Sequence, residues 1–132
     1  MASEDPKPKS YRPFVAARRP RSKAEVKPEW RILVHRKHVK TWNNIPDVCG
    51  ESNAGELWLH LATQPDKPPR LGTVTPMKGR QYGETDEGLS RVYHYELSGA
   101  GRVDYRYCRT FVSEKGDEHA IVQIISIDLT SH

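Results

Sequence analysis

The sequence predicts an α+β domain, with an N-terminal strand and a helical hairpin packed on one face of a mainly antiparallel twisted sheet. Three observations lead there. Two apolar stripes at helical spacing follow one another across a short polar link. After them come short runs rich in aromatic and β-branched residues, separated by turns rich in glycine and charge. The last run, "AIVQIISIDL", is nearly unbroken apolar sequence, as expected of a central strand covered on both faces. The resulting order, β-α-α-β-β-β-β with a closing antiparallel meander, gives two layers and leaves the sheet face away from the helices open.

Taken in order, "WRILVH" reads as a strand from Trp30 to His35. In "RKHVKTWNNI", Val39, Trp42 and Ile45 fall at helical spacing, and Pro46 is expected to stop that helix. The next helix lies in "SNAGELWLHLATQP". Asn53 and Glu56 read as a capping box, Ala54, Leu57, Trp58 and Leu61 as the apolar stripe, and Pro65 as the end. Trp30, Trp42 and Trp58 read as core, and His35, His38 and His60 have no metal-ligand spacing. "TVTPMKGRQYG" is a short strand running into a polar loop. Leu89 to Phe111 then form a hairpin turning at Ser98 to Gly101.

Composition limits the function classes. No apolar run approaches a membrane span, no signal-peptide stretch opens the chain, and two distant cysteines make no disulfide framework. A soluble cytoplasmic protein is expected. Residues 1–28 hold eight Lys or Arg against three acids, net +5, and five of the ten prolines; residues 29–132 hold thirteen against fourteen, net −1. The first segment therefore reads as a flexible basic arm and residues 29–132 as the folded domain. The arm could track phosphates or act only as a solubilising tail.

Alternation along the hairpin sorts its chemistry onto one side. Arg102, Asp104 and Arg106 share a face opposite Val103, Tyr105 and Tyr107, while His94 and Glu96 lie opposite Tyr93 and Tyr95. An aromatic floor would thus back a face of ionisable groups. His94 reads equally as a site residue or as a packed strand histidine.

The element order and four segments, "TPMKG", "LSRVYHYELS", "GAGRVDYRY" and "AIVQIISI", resemble the RelE/ParE superfamily, the toxins of bacterial type II toxin–antitoxin pairs. The first two are similar to that family's leucine-basic-glycine and aromatic-basic segment. The third is similar to its glycine-arginine-apolar-x-tyrosine strand, whose arginine faces the active cleft. The likeness covers residues 29–132 and is strongest over 74–127. It implies either ribosome-dependent mRNA cleavage or inhibition of DNA gyrase, with a cognate antitoxin as partner and no cofactor or metal.

For mRNA cleavage through 2′-OH attack, a base must take the hydroxyl proton, a cation must stabilise the phosphorane, and an acid must protonate the leaving oxygen. The resemblance gives Arg102 the cationic role, because a guanidinium is always charged and grips phosphate bidentately. His94, Glu96 and the terminal His132 are the proton-transfer candidates, and Lys78, Arg80 and Arg106 the RNA-binding ones. Two departures stand out. "SIDLTSH" places Asp128 where the family carries positive charge, and His94 and Glu96 replace cleft lysines. They motivate the alternative, a non-catalytic protein of this fold that binds gyrase, nucleic acid or an antitoxin-like partner.

Overall fold

The computed structural model describes residues 11–20, 27–67, 73–86, 88–97, 101–112 and 116–129. Among them are strands β1 (Phe14–Ala16) and β2 (Arg31–His35), a 3-10 turn (Arg36–His38), helices α1 (Val39–Cys49) and α2 (Glu51–Thr63), then β3 (Thr73–Pro76), β4 (Tyr93–Leu97), β5 (Gly101–Val112) and β6 (Glu118–Asp128). The strands form one mixed sheet in the order β1-β2-β6-β5-β4-β3. Only the β2–β6 pair is parallel. That pairing requires a crossover, which the helical hairpin and the three following strands supply.

The helices cover one face. Trp42, Ile45, Ala54, Leu57, Trp58 and Leu61 meet Ile32, Val34, Tyr95, Val103, Tyr105, Val122, Ile124 and Ile127 in the main core. All three tryptophans and the apolar stripes of both helices face the core, with Val39 at the start of α1 only partly buried. Tyr93 stacks on Tyr105 and Tyr107, with ring centroids 6.0 and 5.6 Å apart, and Trp30 meets Tyr107 edge-on. Burial, then the Tyr93 hydroxyl, pushes the Tyr107 phenol up to about 12.

Four expectations need correction. Pro46 lies inside α1, which runs on to Cys49. Proline's fixed φ suits a helix, and the bond it cannot make is the one to the Trp42 carbonyl, with only one further turn at stake. Helix α2 begins at Glu51, so Asn53 is not its cap; its side chain instead donates to the Cys49 carbonyl at 2.7 Å. Gly50, at φ +95°, makes the abrupt change of direction between the helices, a conformation that disfavours any side chain.

The third correction concerns the arm. Residues 1–10 and 21–26 lie outside the described residues, but Phe14–Ala16 pair with Leu33–His35 as an edge strand. Trp42 Nε1 donates to the Arg18 carbonyl at 2.7 Å, and the Arg19 guanidinium lies 4.0 Å over the Trp58 ring. This stretch combines Tyr11 and Phe14 with β-forming Val15, enough to join a ready sheet edge although too short to fold alone.

The fourth concerns the face away from the helices, which is only half open. Leu33, Leu89, Cys108, Phe111 and Ile121 form a second buried cluster there, with Tyr11 and Phe14 packed on it. An irregularity in register between Cys108 and Phe111, which are three residues apart, turns both to the same side. The other half of that face carries the polar residues.

Candidate functional site

Strand register assembles the site. Thr75, His94, Asp104 and Ser126 lie across from one another on β3, β4, β5 and β6. The next rung outward, toward the turn end of the hairpin, sets Glu96 opposite Arg102 and Arg102 opposite Asp128. Residues paired in this way project to the same side. His94, Glu96, Arg102 and Asp104 are therefore brought together on the uncovered half of the sheet, with Val103, Tyr105 and Tyr95 buried behind them.

Within this group His94 Nδ1 is 2.8 Å from Asp104 Oδ1, with side-chain exposures of 12% and 24%. A carboxylate at that nitrogen holds the proton there and leaves Nε2 as the lone-pair acceptor, the arrangement a general base needs. Arg102 is exposed and, among the described residues, makes no ion pair. In register it stands between Glu96 and Asp128, so an incoming anion would share its charge with two carboxylates. The pairing of His94 with Asp104 was not read from the sequence. The hairpin register carries that information, but only once its turn is fixed.

The expected RNA-binding residues lie to one side. Arg106 Nη2 donates to the Gln81 carbonyl at 3.2 Å, tying β5 to the loop after β3. Lys78 and Arg80 are exposed on that loop, on either side of Gly79 at φ +116°. Arg91, unremarked in the sequence, holds the loop by donating to the Met77 carbonyl at 2.5 Å and the Gly79 carbonyl at 3.3 Å. Lys78, Arg80 and Arg106 therefore belong to one braced structure beside the site. His132 lies outside the described residues.

Among the described residues no cluster of three His, Cys, Asp or Glu side chains could hold a metal ion, and no helix is long and apolar enough to cross a membrane. In comparisons with known proteins, no family model, curated protein or solved structure matches the chain.

Proposed function

We propose that this protein is a toxin-like endoribonuclease of the RelE type that cuts translated mRNA through 2′-OH attack on the adjacent phosphate. The observation that carries the reading is the His94–Asp104 pair, 2.8 Å apart, on the same half-sheet as Arg102, which makes no ion pair among the described residues. In the proposed reaction His94 Nε2 takes the ribose 2′ proton while Asp104 holds the ring in the required tautomer. Arg102 stabilises the charge that builds on the phosphorane. Glu96, directly across from Arg102, is the second proton-transfer group. The 2′-OH requirement makes RNA, not DNA, the substrate. The choice of ribosome-bound message and the expectation of an antitoxin partner rest on the family resemblance.

The test is primer extension on a translated message after induced expression of wild type, Arg102→Ala and His94→Gln. New 5′ ends with wild type and their loss in both variants would support the reading. Identical cleavage by wild type and Arg102→Ala would refute it. Intact messages with inhibited DNA supercoiling would favour the non-catalytic alternative, to which the acidic Asp128 beside Arg102 in register lends support.

A further inference from the structure

We propose that the exposed basic surface at the start of the helical hairpin, formed by Arg36, Lys37 and Lys40 with His38, docks the phosphate backbone of RNA. It is a surface separate from the half-sheet that carries His94 and Arg102. The choice of RNA as partner rests on the ribonuclease reading; the surface itself does not.

Between His35 and Lys40 every residue except Val39 is Lys, Arg or His. Arg36, Lys37 and Lys40 are exposed, and neither the 3-10 turn nor the first turn of α1 contains an acid. Among the described residues these three form no ion pair. In a domain whose net charge is slightly negative, an uncompensated cluster of this kind concentrates positive potential in one place. The crowding is visible at His35: its pKa lies below the usual imidazole value through desolvation first, and then through Lys37, His38 and Arg36.

The surface is also held in place before any partner arrives. Arg36 N donates to the Pro13 carbonyl at 3.0 Å, and Lys37 N to His35 Nδ1 at 3.1 Å. Fixing the backbone in advance reduces the ordering that binding requires. Beside it, between α1 and the end of β6, runs an open groove of about 690 Å³, with Lys40, Thr41, Asn43, Asn44 and Asp128 as its polar lining and Val48, Ile127 and Leu129 as its apolar lining. The hydroxyl and amides can donate to phosphate and ribose oxygens, whereas Asp128 repels phosphate and so bounds the footprint. Among the described residues the only large exposed apolar side chains are Val15 and Val48, too little to enter a lipid surface. Repeating cations with hydroxyl and amide donors beside them fit a phosphate chain, and the apolar side of the groove leaves room for a ribose or base.

The test is fluorescence anisotropy of a labelled RNA oligonucleotide against the full chain over a range of salt. Each lost phosphate contact lowers the log–log salt slope by about 0.7, so Arg36→Gln/Lys37→Gln/Lys40→Gln should lower it by about 2 and weaken binding about 100-fold near 0.1 M salt. Lys37→Gln alone should give about a third of that slope change and guards against a fold defect in the triple variant. His94→Gln should abolish cleavage and leave the slope unchanged. A triple variant with wild-type affinity and slope would overturn the proposal. So would a triple variant that loses only co-sedimentation with phosphatidylserine vesicles. If wild type cuts no message while the slope still falls in the triple variant, the docking surface stands and the ribonuclease reading fails.

Discussion

Replacing His60 with leucine should make the protein markedly less sensitive to mild acid. His60 projects from α2 into the core, where it is 5% exposed. Its Nε2 makes a long 3.4 Å contact with the Tyr105 hydroxyl, which itself donates to the Pro65 carbonyl at 2.7 Å. Nδ1 is buried with no hydrogen-bond partner among the described residues. Protonation would place a charged N–H in that unpartnered position. Burial accordingly lowers the pKa from 6.5 to about 4, against a smaller upward pull from Asp66. Because the folded value is depressed, the stabilisation is complete above the unfolded pKa of 6.5 and is lost as pH falls toward 4. Evaluated at pH 5, the loss relative to pH 8 is about 2 kcal/mol, roughly two-thirds of the limiting value of about 3 kcal/mol at 1.36 kcal/mol per pKa unit. Guanidinium unfolding of wild type and His60→Leu at both pH values measures it, since other titrating groups cancel in the difference. The variant should also lie within about 1 kcal/mol of wild type at pH 8, because it removes a polar atom that had no partner. Parallel loss of stability in the two proteins would refute the reasoning.

Other changes have separate signatures. Tyr105→Phe removes the donor to the buried Pro65 carbonyl and should destabilise by about 1–3 kcal/mol in the same unfolding assay. Gly101→Ala would set a Cβ 2.9 Å from Leu97 Cδ1 and 3.2 Å from Leu129 Cδ2; the overpacking should lower stability by about 1–3 kcal/mol. Trp42→Phe loses the bond to the Arg18 carbonyl, so limited trypsinolysis after Arg18 should accelerate while Lys40 in α1 stays protected. Arg102→Ala should leave thermal unfolding within about 0.5 kcal/mol of wild type, which separates its effect on cleavage from any effect on folding.

Where periodicity was strong, the sequence was a reliable guide. Leu57, Trp58 and Leu61 had to face a core, and the alternation from Arg102 to Tyr107 placed three ionisable side chains opposite two tyrosines and a valine, as found. Local breaker signals were weaker guides. Pro46 and Asn53 carried typical stop and start chemistry, yet burial of Trp42 and Ile45 on one side and the positive-φ turn at Gly50 on the other fixed the helix ends elsewhere. Arg18 and Arg19 looked like part of a solvated arm because their partners, Trp42 and Trp58, are more than twenty residues away.

The chain's own order of apolar and polar residues determined the two helices, the strands from β2 onward and their inward faces, and set His94 beside Glu96, and Arg102 beside Arg106, on one side of their own strands. Those are consequences of backbone geometry, repeating every two or 3.6 residues. Which of the charged groups would pair was decided only in three dimensions. Register between strands set Asp104 against His94 and placed Arg102 between Glu96 and Asp128 with no ion pair among the described residues, while the docking of Tyr11 and Phe14 closed half of a face that alternation alone leaves open. Both outcomes depend on contacts between residues distant in the chain, and no local pattern encodes the distance between them.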